Sequence, residues 1–234
     1  MKLNIIYEDN DVLVIDKPAG LSVFKEGNII EKTLAEYLLE QYPDFKKAGD
    51  PPRYGIIHRL DKDTSGVLLT AKNPQGLIFF QKQFKKGAVK KKYLALVCGG
   101  FESKEGEIKT LIGRSRQNPK KQKVFLPQEP GAEGKREAIT YYKVVRNFKE
   151  YALLEVLPKT GRKHQIRCHL AYIHRPIAGD KLYGFKNQPE PKDLTRQFLH
   201  ASYIKIKMPN GETKEFASEL PEELERIIKE LKPQ

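Results

Sequence analysis

The 234-residue chain has only two cysteines, two methionines and no tryptophan. Cys98 and Cys168 are too few to build the disulfide framework of a small secreted domain, and free cysteines are usually buried. No stretch approaches the ~20 apolar residues that a membrane-spanning helix needs. The first residues also lack the apolar segment of a secretory signal. We therefore predict a cytoplasmic protein without a membrane partner.

Acidic residues are also comparatively few. The chain has 43 Lys and Arg against 30 Asp and Glu, which gives a net charge of +13 and indicates a polyanionic partner. One basic cluster consists of Lys85, Lys86, Lys90, Lys91 and Lys92. A second consists of Arg114, Arg116, Lys120, Lys121 and Lys123. Charge alone fits a solvated lysine-rich surface as well as a nucleic-acid interface.

The apolar pattern predicts more strands than helices. Strands are predicted at residues 4–7, 11–16, 66–71, 92–98, 138–145, 151–157 and 198–208. Helices are predicted at residues 33–42, 74–84, 161–173 and 221–231, the third with Thr160 as its N-cap. Residues 112–135 have few apolar positions and several Pro and Gly, so we expect a long loop. The fold class expected is α+β, with a mixed, largely antiparallel central sheet and flanking helices.

Residues 58–66 have the sequence His-Arg-Leu-Asp-Lys-Asp-Thr-Ser-Gly and run directly into an apolar strand. This arrangement can hold the Asp61 carboxylate at the edge of a cleft on a rigid support. In an extended segment Arg59, Asp61 and Asp63 would share one face. An isolated Asp in such a loop is more often a structural carboxylate, and an Arg nearby more often forms an ion pair.

Residues 161–170 have the sequence Gly-Arg-Lys-His-Gln-Ile-Arg-Cys-His-Leu. In a helix, Ile166 and Leu170 would enter the core while Arg167 lies beside that face. His164 and Cys168 would lie one turn apart, but no second pair of ligands completes a tetrahedral metal site. We expect no metal and no cofactor.

Three segments resemble those of RluA-type pseudouridine synthases. Residues 58–66 resemble the family pattern H-R-L-D-x-x-T-S-G, residues 161–167 its G-R-x-H-Q-I/L-R pattern, and residues 14–23 its V-x-x-K-P-x-G-x-x-V pattern. The resemblance covers roughly residues 5–208 and implies the pseudouridine synthase catalytic fold. It implies one catalytic domain over residues 1–234, without an N-terminal accessory RNA-binding domain.

The resemblance also implies the roles of three catalytic residues. Asp61 would be the nucleophile, Arg167 would pair with it, and Tyr93 would stack on the target base. An adjacent guanidinium lowers a carboxyl pKa by roughly 1–3 units, which opposes the effect of desolvation. The implied activity is that of an isomerase, an intramolecular transferase that flips a uridine out of RNA.

The RNA contacts expected from the motifs and the basic clusters are Lys17, His58, Arg59, Arg114, Arg116, Lys120, Lys121, Lys123, Arg162 and His164. Arg59 would fill the space that the flipped uridine leaves. We expect ribosomal or transfer RNA as the partner, and a monomer. Two alternatives stay open: a non-catalytic RNA-binding protein that uses the same basic groove, and a metal-dependent nuclease that uses Asp61 and Asp63.

Overall fold

The computed structural model describes residues 3–27 and 30–233. Its strands are β1 (Asn4–Glu8), β2 (Val12–Lys17), β3 (Ser65–Ala71), β4 (Lys90–Cys98), β5 (Glu105–Arg114), β6 (Gln122–Phe125), β7 (Arg136–Asn147), β8 (Tyr151–Pro158), β9 (Leu199–Lys207) and β10 (Thr213–Ala217). Its α-helices are α1 (Leu34–Gln41), α2 (Pro74–Lys86), α3 (Gln165–Tyr172) and α4 (Glu222–Glu230), and a 3₁₀ helix spans Pro43–Ala48. None of these helices has the length and apolar content to span a bilayer.

The chain forms two compact units. Unit 1 contains Met1–Lys91 and Ala201–Glu219, and unit 2 contains Lys92–His200 and Leu220–Gln234. The chain therefore passes from one unit to the other within β4, again within β9, and a third time between Glu219 and Leu220. That the whole chain acts as one catalytic domain stays a prediction.

The sheet of unit 1 is centred on β2. This strand pairs antiparallel with β1 and with β3, and β9 pairs antiparallel with β10. The start of β9 lies beside the start of β3, where Gly66 has φ +112° and a Cβ would come 2.2 Å from the Ala201 carbonyl oxygen. Only glycine fits this close approach, which explains the glycine at the end of the 58–66 segment.

Helix α2 packs on this sheet and has clear signals at both ends. Pro74 occupies its first turn, as predicted, and the Asn73 side chain accepts a hydrogen bond from the Gly76 N–H at 2.7 Å. Gly87 ends the helix in the left-handed conformation at φ 68°. Phe80 is fully buried against the unit 1 core. Helix α2 is therefore fixed by its caps and by its buried face.

The sheet of unit 2 is antiparallel in every described pair. Strand β8 pairs with β4 and β7, and β5 pairs with β7 and β6. The core beneath it includes Leu96, Leu154 and Leu170, all completely buried. The predicted α+β class with a mixed, largely antiparallel sheet is confirmed.

Two predictions about secondary structure were wrong in part. The helix expected at 161–173 begins only at Gln165, because His164 has φ 53° and precedes it in the left-handed region. Thr160 is not its N-cap; its hydroxyl accepts from the Ile139 N–H at 3.0 Å and donates to Gln165 Oε1 at 2.8 Å. The expected loop at 112–135 contains the end of β5 and all of β6, which pair around a turn.

Candidate functional site

Asp61 lies in the loop that leads into β3 of unit 1. The Thr64 N–H donates to the Asp61 carbonyl oxygen at 3.1 Å, so a tight turn follows Asp61. Every residue of β3 is buried, which gives the loop a rigid support. The residue itself is half-buried. Because of the turn, the extended geometry that would place Arg59, Asp61 and Asp63 on one face is not adopted.

Lys17 holds this loop from inside the unit. Its side chain is completely buried, and its ammonium donates to the carbonyl oxygens of Pro18 at 2.8 Å, Leu21 at 2.9 Å and Lys62 at 3.1 Å. A buried cation requires such bonds in place of water. The bond to Lys62 fixes the residue that follows Asp61. A contact between Lys17 and RNA would require this network to open, and it stays a prediction.

His58 connects the same loop to β3 and α2. Its Nε2 accepts a hydrogen bond from the Leu69 N–H at 3.1 Å, and its ring stacks on Phe84 with a centroid distance of 4.6 Å. Burial, with a smaller contribution from the charge of Lys91, lowers the pKa of His58 to about 3. His58 is therefore neutral at physiological pH, and its proposed contact with RNA stays a prediction.

Arg59 forms an ion pair with Glu26, and its guanidinium lies 5.0 Å from the Phe24 ring centroid. Among the described residues, its buried Nε–H has no hydrogen-bond partner. A wedge role in an RNA stack would require Arg59 to leave Glu26. Both groups are about one-third exposed, so this pair is worth at most about 1 kcal/mol.

Arg167 of unit 2 forms a buried ion pair that the sequence did not indicate. Its Nε donates to Asp180 Oδ2 at 2.7 Å and its Nη2 to Asp180 Oδ1 at 2.8 Å. The same Oδ1 accepts from the N–H groups of Leu182 and Tyr183 at 2.9 and 3.0 Å. Burial alone would raise the pKa of Asp180, but the hydrogen bonds and charge of Arg167 outweigh it and lower that pKa. Arg167 is thus held in one orientation.

Tyr183 links Arg167 to the neighbouring elements. Its hydroxyl oxygen accepts from the Gln122 N–H of β6 at 2.6 Å and lies 3.0 Å from His164 Nδ1. Its ring centroid lies 5.1 Å from the Arg167 guanidinium carbon. One tyrosine therefore joins the basic β5–β6 hairpin, the residue that precedes α3, and the buried arginine.

The basic residues of the second cluster lie along this hairpin. Between Leu111 and Gln128 the chain has no acidic residue. The exposed members are Arg114, Arg116, Lys120 and Lys123, while Lys121 is half-buried with its ammonium 5.8 Å from the Tyr183 ring. Arg162, also half-buried, donates from Nε to the Glu137 carbonyl oxygen at 2.8 Å. These groups present positive charge on unit 2.

Tyr93 is half-buried in β4 and packs against the core of unit 2, opposite Val156 of β8. This position fits ordinary sheet packing and leaves part of the ring accessible. Its stacking on a base stays a prediction, as does the pairing of Arg167 with Asp61.

Cys98, Cys168 and His169 are buried, which fits a structural role for all three. Burial raises the pKa of Cys98 to about 11 and that of Cys168 to about 12. The His169 ring nitrogens lie 3.0 Å from the Thr110 hydroxyl and 2.9 Å from the Thr140 hydroxyl, and burial lowers its pKa to about 4. Within residues 3–27 and 30–233, no three His, Cys, Asp or Glu side chains cluster as metal ligands.

The comparisons with known proteins agree on one family. Residues 11–172 match the family model described as RNA pseudouridylate synthase. A ribosomal large subunit pseudouridine synthase D of Borreliella burgdorferi is 40% identical over 219 residues, which cover 93% of this chain and 65% of that protein. An uncharacterized RNA pseudouridine synthase of Bacillus subtilis is 36% identical over 99% of this chain and 74% of its own length.

The chain belongs to the RNA pseudouridylate synthase family. The RluA-type resemblance and the isomerase class predicted from the sequence are thereby confirmed. A solved structure, human RNA pseudouridylate synthase domain containing 1, aligns with a TM-score of 0.79 and 26% identity over 100% of this chain and 89% of that one. Domain containing 4, at 24% identity and a TM-score of 0.77, shares the fold.

For this pseudouridine synthase chain, sequence reasoning missed Asp180, Tyr183 and Glu26. Gly179 beside Asp180 is a turn signal in the sequence, but nothing there indicates that this carboxylate binds Arg167. In the structure Gly179 has φ 73°, and a Cβ there would come 2.3 Å from the Arg196 carbonyl oxygen.

Proposed function

We propose that this chain isomerises uridine to pseudouridine in large-subunit ribosomal RNA, with Asp61 as the nucleophile. The observation that carries the proposal is the Asp61 loop, which Lys17 pins through the Lys62 carbonyl directly before the buried strand β3. Family membership supports the reaction class. The name of the Borreliella relative favours ribosomal RNA over transfer RNA as the substrate class.

The proposed reaction exchanges one bond for another within a single nucleotide. The uridine leaves the stack, at a cost of roughly a few kcal/mol. The bond between N1 and C1′ breaks, the base turns, and a bond forms between C5 and C1′. C5 then loses its proton while N1 ends with one, so the product is an isomer and no oxidant or reductant is consumed. Asp61 acts either by attack on C1′ or by promoting a glycal route.

Arg167 is proposed to keep the Asp61 carboxylate ionised when bound RNA excludes water. A neighbouring guanidinium lowers a carboxyl pKa by roughly 1–3 units. The bidentate bonds to Asp180 and the ring of Tyr183 support a positioned rather than a mobile charge at Arg167. Asp180 and Tyr183 are then positioning residues for Arg167.

RNA is proposed to lie against the basic β5–β6 hairpin, with Arg162 and His164 nearby on unit 2. Tyr93 would stack on the target base, an interaction worth roughly 1–3 kcal/mol. Arg59 would enter the space left by the flipped base after it leaves Glu26. Lys17 and His58 would act through the shape of the Asp61 loop. The cytoplasmic location and the monomeric state also stay predictions.

The test is release of tritium from [5-³H]uridine-labelled ribosomal and transfer RNA in excess chelator. Wild type and Asp61→Ala are compared, with RNA binding and RNA integrity measured in the same samples. We expect release from ribosomal RNA by wild type alone, with the RNA intact.

Three other results would overturn the proposal. Binding by wild type without release from either RNA would identify an RNA-binding protein rather than an enzyme. Release by Asp61→Ala at the wild-type rate would remove Asp61 from the chemistry. Strand cleavage in a parallel sample without chelator, absent when chelator is present, would point to a metal-dependent nuclease that uses Asp61 and Asp63.

A further inference from the structure

A cleft of about 440 Å³ opens in unit 1, apart from the Asp61 loop. It lies where the C-terminal half of α2 meets the end of β9 and the start of β10. Its lining includes five lysines, Lys82, Lys86, Lys90, Lys205 and Lys207, and no acidic residue.

The lysines give this cleft a strong positive charge. Lys82 and Lys86 lie one turn apart on α2, so they project from the same face. Within the part of the chain that the structure describes, neither they nor Lys207 form an ion pair. Lys205 is bound by Glu215 at 2.6 Å. That bond, with smaller contributions that include the charge of Lys90, lowers the pKa of Glu215, which therefore stays ionised and neutralises one lysine.

The Gln83 side chain joins the two walls of the cleft. The Gln83 Nε2 donates to the Lys207 carbonyl oxygen at 2.8 Å, and its Oε1 accepts from the Lys207 N–H at 3.2 Å. Both amide atoms of one α2 residue thus bind one residue of β9. Phe79 and Ile206 form an apolar floor between the charged rims. The spacing of the helix lysines from the strand lysines is therefore fixed by the fold.

Strand β9 connects the cleft with the Asp61 loop within unit 1. Ala201, the first residue of β9 that belongs to unit 1, lies beside Gly66, which ends the 58–66 segment. Lys207 is six residues further along β9, which is about 20 Å of extended strand.

We propose that this cleft binds the phosphate backbone of the substrate RNA outside the Asp61 loop. The lysines supply point charges, which suit phosphates, and the apolar floor suits the ribose carbons between them. The identity of the polyanion as RNA rests on the proposed function. The cleft adds affinity and fixes the direction in which the RNA leaves the nucleophile, and it takes no part in bond breaking.

The test compares two triple variants of the full chain. The cleft variant is Lys82→Gln, Lys86→Gln and Lys207→Gln. The matched control is Lys46→Gln, Lys47→Gln and Lys229→Gln, which removes the same charge from the 3₁₀ helix and from α4. The probe is a fluorescein-labelled RNA duplex of about 20 base pairs, with its Kd measured by anisotropy from 50 to 200 mM salt. Circular dichroism and urea unfolding confirm that both variants fold.

We expect the cleft variant to bind roughly tenfold more weakly, and its slope of log Kd against log salt to fall by two to three, about one per lost phosphate contact. The control should change both by much less. Equal effects in the two variants would overturn the cleft proposal. Tritium release is scored separately: an inactive wild type refutes the proposed function, whereas an active cleft variant with an unchanged slope refutes only the cleft.

Discussion

Lys17 in unit 1 and Arg167 in unit 2 are both buried cations, but they are held in different ways. The Lys17 ammonium donates to three backbone carbonyl oxygens. Arg167 instead makes two bonds to the buried carboxylate of Asp180. The first arrangement fixes main chain, and the second fixes the orientation of the cation itself.

The two arrangements therefore constrain different parts of the structure. A compact ammonium can gather loop carbonyls from any direction, so Lys17 shapes the segment around Asp61. Two parallel hydrogen bonds fix the plane of a guanidinium, so the Asp180 carboxylate sets the orientation of Arg167. We therefore expect loss of Lys17 to loosen the loop, and loss of Asp180 to misdirect the arginine.

Asp180→Ala should have the largest effect on stability. It leaves the Arg167 guanidinium buried without its carboxylate, and breaking such a pair costs about 3–5 kcal/mol. The free energy of unfolding is measured by urea denaturation. Asp180→Asn, which keeps an acceptor for the Leu182 and Tyr183 N–H groups, should cost less. A loss below about 1 kcal/mol for Asp180→Ala would show that the pair does not stabilise unit 2.

Acidification compares one histidine of each unit. His58 has a pKa of about 3 and His169 of about 4, both depressed by burial below the ordinary 6.5. As the pH falls below 6.5, the unfolded chain takes up these protons and the folded chain does not, so stability is lost. Between pH 7 and 5 the loss should be roughly 2 kcal/mol per histidine.

Urea unfolding at pH 7, 6 and 5 tests this expectation. His169→Gln should remove about half of the pH dependence and leave the part due to His58. A variant whose stability still falls as steeply as that of wild type would contradict the assignment to His169.

Lys17→Met should cost about 2 kcal/mol, less than Asp180→Ala. Three carbonyl groups lose their donor, but the variant also removes the cost of burying a charge. Because the Lys62 carbonyl is released, the rate of the bound complex should fall more than RNA affinity does. Single-turnover rates and Kd measured together test this, and a change in Kd alone would instead make Lys17 an RNA contact.

Tyr183→Phe should have the smallest effect, about 1 kcal/mol, because it removes one hydroxyl and keeps the ring beside Arg167. The Gln122 N–H loses its acceptor, so its hydrogen exchange should become faster. An unchanged exchange rate would show that the hydroxyl does not hold the β5–β6 hairpin to the rest of unit 2.

The sequence predicted the elements better than their contacts. Strands such as β2 and β3 were located within one residue at each end, because a buried strand between polar turns has a strong local pattern. The sequence predicts no strand at β5, where Gly106 and Thr110 interrupt the apolar pattern, and predicts a loop over 112–135, because β6 has only four residues. The start of α3 was placed too early, because no local rule indicates a left-handed His164.

For the candidate site, the sequence likewise indicated the residues better than their contacts. Asp61, Arg167 and Tyr93 lie in recognisable segments, so each could be named from the sequence. The partners of the buried cations could not, because Asp180 lies 13 residues from Arg167, and Lys62 lies 45 residues from Lys17. Such contacts depend on how distant segments pack, which local patterns do not specify.

The most direct test is the single-turnover rate of Asp61→Asn at saturating ribosomal RNA, with Kd measured on the same preparation. The substitution preserves shape and removes the nucleophilic charge. The account predicts a rate at least about 10³-fold below wild type with Kd changed less than about threefold. A rate within about tenfold of wild type would contradict the claim that Asp61 carries the isomerisation.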